Sequence, residues 1–251
     1  MFTPPEEKHN IKVIMSYCGT AYHGFQRQKN AVGIQSIIEA ALFELTGEEI
    51  SINGCSRTDT GVHANEYCFS FYTDSKIIPK KFVTGLNTKL PVDMAIKSAE
   101  YADPLFHARY SCKGKEYVYF IQKSNIRDPF LYKRALLYKR PIDTDKIRRN
   151  LPDFLGTHDF ASFCGQNGKR ENTVRTINEI LLNEDEKCIK ILVNGDGFLY
   201  NMVRIIVGTL LEINEGKKPE GCIADIISSY DRNKAGKTAP PEGLYLNRVF
   251  Y

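Results

Sequence analysis

The stretch from Gly54 to Ala64, Gly-Cys-Ser-Arg-Thr-Asp-Thr-Gly-Val-His-Ala, sets a carboxylate, Asp59, between a guanidinium, Arg57, and an imidazole, His63. It is polar and bounded by glycines, with strand-like sequence on both sides, so it reads as a loop fixed at both ends by a sheet. An aspartate with the ordinary pKa of about 3.9 is ionised at neutral pH and can act as a nucleophile or as a base. The plainer alternative is a turn in which Asp59 bonds its own backbone and Gly61 supplies a positive φ. Glycosidic hydrolysis usually sets two carboxylates across the bond. Asp59 is the one acid of its loop and Glu66 lies down the following strand, which argues against that chemistry. A second charge stands out in residues 198–213, a segment apolar nearly all round and so read as a buried helix with Arg204 at its middle. A buried, unpaired charge costs on the order of several kcal/mol. Glu212 lies two turns on, about 12 Å along the axis, so Arg204 needs either an acid from elsewhere in the fold or a path to solvent.

Five separated segments share a resemblance. Ser56 to Ala64, SRTDTGVHA, resembles the active-site motif GRTDAGVHA of the TruA family of tRNA pseudouridine synthases, with Ser56 for a glycine and Thr60 for an alanine. Tyr17 to Gln28 is similar to the family's YDGTxYxGWQRQ, with Cys18 for the aspartate and Phe25 for the tryptophan; the first change removes a carboxylate, so no acid role is placed there. Phe106 to Tyr117 resembles FHARxSAxxKxY, residues 195–208 resemble GNGFLYNMVRxIVG, and Ala239 to Tyr251 resembles APxxGLYLxxVxY. The segments stand in the family's order and cover essentially the whole chain.

The resemblance implies an isomerase that converts uridine to pseudouridine in tRNA, at positions 38, 39 and 40 of the anticodon arm. Asp59 is then the nucleophile, Arg204 its partner, and Tyr117 the tyrosine that contacts the target base. Phe106, His107, Ala108, Arg109 and Tyr110 fall in the segment that touches tRNA. Arg57 and the polar loop residues Gln166, Asn167, Gly168, Lys169 and Arg170 are expected to bind tRNA as well. The reaction neither oxidises nor transfers a group, so no cofactor and no metal are expected. The resemblance also implies a homodimer, which nothing else in the sequence reveals.

The elements that must position these residues follow from periodicity. Ile11 to Tyr17 reads as a strand, and Ile34, Ile37, Ile38, Ala41, Leu42 and Leu45 form the apolar stripe of a helix closed by Gly47. Residues 49–53 and the alternating Tyr67, Phe69 and Phe71 read as strands flanking the Asp59 loop. Residues 77–91 read as a connector and 94–100 as a short strand. In the second half, residues 116–121, 159–163, 174–182, 189–193 and 244–250 read as strands, and 142–155 and 198–213 as helices. The expected fold class is α+β: two similar β-α-β-β-type units sharing an antiparallel sheet with a central basic active-site cleft, the pseudouridine synthase fold. The expected division is 1–104, carrying the aspartate loop, and 105–251, carrying the tyrosine and arginine of the site.

At 251 residues the chain is long enough for a substantial core, and its net charge of +4 is mild. The cations are clustered, as in Lys133 to Arg140, Lys146 to Arg149 and Lys169 to Arg175, several beside tyrosines, which favours a polyanionic partner. Seven cysteines without C-x-x-C spacing, and no apolar run of membrane-spanning length, fit a cytoplasmic protein outside the membrane. The five scattered histidines offer no ligand pair. A non-catalytic RNA-binding protein with the same fold is the competing reading; it would need the basic and aromatic residues but not Asp59 with Arg204.

Overall fold

A computed structural model describes residues 8–166 and 172–251 of the chain. The chain divides into two compact units, Met1–Lys113 with Leu246–Tyr251, and Gly114–Tyr245.

In the first unit, β1 (His9–Tyr17) is followed by α1 (Ile34–Thr46), β2 (Asn53–Gly54), β3 (His63–Thr73), α2 (Pro79–Asn87) and β4 (Met94–Tyr101). β1 pairs antiparallel with both β3 and β4, and β2 pairs with β3. The α1 stripe buries Ile34, Ile38, Ala41 and Leu42, and Gly47 caps the helix at φ 76°, as its spacing predicts. The alternation of β3 is present, yet Tyr67, Cys68, Phe69, Ser70 and Phe71 are all fully buried. β3 is therefore covered on both faces, and its small residues face packing rather than water. The expected strand at 49–53 shrinks to Asn53–Gly54. Residues 77–91 are not a plain connector: Pro79 opens α2 at a first-turn position, and Phe82 and Leu86, four apart, are fully buried. Phe82 meets Phe71 of β3 edge-on at 5.4 Å. The short helix was hidden by its two lysines and by prolines at both ends of the segment.

The second unit contains β5 (Gly114–Gln122), β6 (Leu136–Leu137), α3 (Thr144–Asn150), β7 (Gly156–Asp159), β8 (Val174–Glu184), β9 (Cys188–Gly195), α4 (Met202–Asn214) and α5 (Ile223–Ser229). Its antiparallel order is β5-β9-β8-β7, with β6 parallel to β5. Against expectation, residues 160–163 leave the strand: β7 ends at Asp159, whose carboxylate accepts from the Ala161 N–H and starts a 3-10 turn. The helix expected over 142–155 is one α-helix capped by Asp143 and then a separate turn, because Pro152 cannot continue it. α4 is buried nearly all round, and starts at Met202 rather than Phe198.

The last strand, β10 (Leu244–Phe250), leads back to the first unit. There the Lys113 N–H donates to the Phe250 carbonyl at 2.8 Å, and the Tyr251 hydroxyl donates to the Ala108 carbonyl at 2.7 Å.

Candidate active site

The Asp59 loop is clamped by the neighbouring loop, residues 18–28, and by β3. Thr58 to Val62 make a tight turn in which the Val62 N–H donates to the Asp59 carbonyl at 3.2 Å, with Gly61 at φ 79°. The Phe25 N–H donates to the Thr58 carbonyl at 3.3 Å and the Gly61 N–H to the Tyr22 carbonyl at 3.2 Å. Two glycines allow this approach. A Cβ on Gly24, which sits at φ +81°, would lie 2.2 Å from the Thr58 oxygen, and one on Gly19 would lie 1.9 Å from the Val62 oxygen. From β1, the Tyr17 hydroxyl shares a 2.9 Å hydrogen bond with Thr58 Oγ1. From β3, the fully buried Tyr67 donates its hydroxyl to the Ser56 carbonyl, while its ring stacks on Phe25 at 4.1 Å. Asp59 ends half-buried and Arg57 exposed on this frame.

His63 is buried and structural: its Nδ1 accepts from the Gly19 N–H at 3.0 Å. Cys18 lies alongside. Hydrogen bonding with His63, reinforced by Thr20 at 3.3 Å, brings the Cys18 thiol down to about 6, against the burial that opposes it. Cys18 stands at the position where the family motif has a carboxylate.

Of the segment 106–110, Arg109 and Tyr110 face solvent, the guanidinium 5.7 Å from the tyrosine ring. His107 and Ala108 are buried. His107 Nδ1 accepts from the Arg109 N–H at 3.1 Å, and burial holds its pKa below the ordinary histidine value. The Ala108 N–H donates to Ser70 Oγ at 3.2 Å. Phe106 packs on Tyr251 at 4.9 Å. His107 and Ala108 thus shape the turn that presents Arg109 and Tyr110.

In the second unit, Tyr117 on β5 is nearly buried, opposite Val193, with Phe198 against its ring at 5.0 Å. Arg204 on α4 is half-buried. Its Nε–H donates to the Ala239 carbonyl and one terminal nitrogen to Asn201 Oδ1, each at 2.8 Å. Both acceptors are neutral, and together they orient the guanidinium. Asn201 holds a left-handed conformation, φ 60°, which asparagine tolerates better than most residues. Gln166 is exposed; Asn167, Gly168, Lys169 and Arg170 lie outside the described residues. Among the described residues there is no cluster able to hold a metal ion.

Sequence reasoning did not single out Tyr67, Gly24, Asn201 or Ala239. A tyrosine in an alternating strand looks like packing, and the acceptor on Ala239 is a backbone carbonyl with no side-chain signature.

A family model described as tRNA pseudouridine synthase matches residues 13–111 and 152–251. The chain belongs to that family. Among its relatives, tRNA pseudouridine synthase A of Acetivibrio thermocellus is 46% identical over 242 residues, covering 96% of this chain and 99% of that protein. The tRNA pseudouridine synthase A of Ruminiclostridium cellulolyticum is 45% identical over 243 residues, and that of Thermoanaerobacter sp. strain X514 is 41% identical over 242 residues. Both matches again cover 96% of this chain and 99% of the relative. As a tRNA pseudouridine synthase family member, the chain carries departures from the family's strings that include Cys18, Phe25, Ser56 and Thr60. Phe25 still supplies an aromatic face to Tyr67. Ser56 is held through its backbone by Tyr67, and its hydroxyl donates to the Arg57 carbonyl at 3.2 Å.

Proposed function

We propose that this protein isomerises uridine to pseudouridine in tRNA, at positions 38, 39 and 40 of the anticodon arm. The observation that carries the proposal is the aspartate loop: a family-matched SRTDTGVHA held by Tyr17, Tyr67 and the glycines of the neighbouring loop, with Asp59 half-buried at its turn. In the reaction the bond from ribose C1′ to uracil N1 breaks, the base turns, and C5 bonds to C1′. The C5 proton leaves and N1 gains one, so atoms balance without a redox partner.

Asp59 is the nucleophile in this reading, acting at the sugar or at the base. Arg204 is its counter-ion, aimed by Asn201 and Ala239, and Tyr117 packs on the extruded uracil. Taking the base out of its stack costs roughly a few kcal/mol, which contacts to phosphate offset. Arg57, Phe106, Arg109, Tyr110, Gln166, Asn167, Gly168, Lys169 and Arg170 supply tRNA contacts, with His107 and Ala108 forming the turn that presents Arg109 and Tyr110. The protein works as a homodimer in the cytoplasm. No helix among the described residues is long and apolar enough to cross a membrane.

The test is to incubate the wild type and Asp59→Asn with unmodified tRNA and map pseudouridine by position. Product in the anticodon arm from the wild type alone is expected. Binding without product from either protein would leave the non-catalytic RNA-binding reading.

A further inference from the structure

Beyond Arg204, the second unit contains a polar cavity of about 580 Å³ that meets the proposed site only at Asn201 and Gln166. It runs along α4 from Asn201 to Glu212, roughly 16 Å at 1.5 Å per residue, and its opposite wall is the segment 231–238. Three cations, Lys218, Arg232 and Lys237, line it against one carboxylate, Glu212.

The wall is rigid. The Gly236 N–H donates to Thr209 Oγ1 at 2.8 Å, the Lys237 N–H to Glu212 Oε1 at 3.1 Å, and the Ala239 N–H to the Arg204 carbonyl at 3.0 Å. The segment crosses α4 over Gly208, where a Cβ would fall 1.7 Å from the Lys237 carbonyl oxygen. So Lys237 and Arg232 are presented by a fixed backbone.

Arg232 is the informative residue. Its two terminal nitrogens donate to the Gly236 carbonyl at 2.9 Å and to Thr238 Oγ1 at 3.2 Å, both neutral. Among the described residues it makes no ion pair. A guanidinium has five N–H donors, so these bonds leave several for a further acceptor. Arg232 is half-buried, and burial lowers its pKa while the Glu212 carboxylate acts the other way. Glu212 is the one carboxylate lining the cavity with three cations, so a further anion arriving from outside relieves the cost of desolvating the guanidinium.

The cavity is too long for a lone phosphate ion, and one end of it is aromatic. The Tyr200 ring is 40% exposed and lies over Gly165, where a Cβ would fall 2.6 Å from it. A fixed, open aromatic face beside cations is the composition of a single-strand binding platform. We propose that this cavity is a tRNA strand site, in which Arg232 and Lys237 hold a backbone phosphate and Tyr200 stacks on an adjoining base. The proposal rests on the tRNA reading above.

The experiment measures tRNA affinity against salt for the wild type, Arg232→Gln, Lys237→Gln, Tyr200→Ala and the remote control Lys123→Gln, with thermal melts of each. Arg232→Gln should weaken binding about tenfold, the scale of one charge-assisted hydrogen bond. It should also flatten the slope of log affinity against log salt by about one. Tyr200→Ala should lose about tenfold with the slope unchanged. The control should match the wild type. Should Arg232→Gln fail to fold, Lys237→Gln, with its exposed side chain, gives the same slope reading. Wild-type binding and modification with unaltered affinity and slope in the variants would overturn the strand site alone. An equal loss in the control would do so too. A wild type that neither binds nor modifies tRNA would overturn the functional reading, and the strand site with it. A melting temperature raised by inorganic phosphate in the wild type but not in Arg232→Gln, with tRNA affinity unchanged in that variant, would show a small-anion site and overturn the strand site.

Discussion

Cys18 occupies the position where the family motif has an aspartate, and its neighbours lower its thiol to about 6. Folding therefore favours the thiolate. The resulting stabilisation is fully present above the ordinary value of 9.0 and is lost as pH falls through about 6. Alkylation by iodoacetamide should accordingly show a rate midpoint near pH 6 at Cys18, while Cys68, whose thiol burial pushes up to about 12, stays inert in the native state. A Cys18 rate that rises only above pH 8 would remove the His63 contact from the argument. At Arg204, the two neutral acceptors give a prediction of their own. Arg204→Lys keeps the charge but lacks the planar fork that reaches Ala239 and Asn201 together. Turnover should fall by about 100-fold, roughly 2.7 kcal/mol of barrier, with the melting temperature little changed. Wild-type turnover in that variant would mean that charge alone suffices.

The two loops around the site act as one element because their backbones interlock. Gly24→Ala forces a side chain into a left-handed residue and against the Thr58 carbonyl. The expected cost is about 1–3 kcal/mol, seen as a lower denaturant midpoint together with lost turnover. Unchanged turnover would show that the Asp59 turn does not depend on this contact. Tyr67→Phe is gentler. It keeps the stacking on Phe25 and removes the hydroxyl that holds Ser56, costing about 1 kcal/mol. Turnover should drop more than tRNA affinity does; equal losses in both would point to a general loosening. The glycine-bounded turn of the loop is legible from its string, and α1 from its period and closing glycine. Tyr67 is not, since alternation assigns a face but not the hydrogen bond at the end of the ring. α2 is obscured because a nine-residue helix offers few buried apolar positions among its lysines and flanking prolines.

At the level of the molecule, the first unit is not contiguous in sequence. Leu246 is fully buried, and Tyr251 packs on Phe106 and bonds the Ala108 carbonyl at the turn that presents Arg109 and Tyr110. Removing residues 246–251 should therefore speed amide exchange in β1 and β3 more than in β8 and β9. Losing the Leu246 side chain alone accounts for about 1.5–3 kcal/mol. Equal protection in the full and shortened chains would refute this dependence. Among the described residues no cysteine is in a disulfide, so reductant should leave the melting temperature where it is.

The α+β class, most strands, α1, the buried character of α4 and the presence of a catalytic-type aspartate loop are all local properties. Periodicity, glycine placement and short motifs encode them within a few neighbouring residues, so the amino-acid order by itself determines them. The anchoring of Asp59 through Gly24 and Tyr67, the aim of Arg204 through Ala239, and the depressed thiol of Cys18 depend on contacts between segments distant in sequence or on backbone carbonyls. No local pattern records them, because burial and hydrogen-bond partners arise only once the segments are packed together.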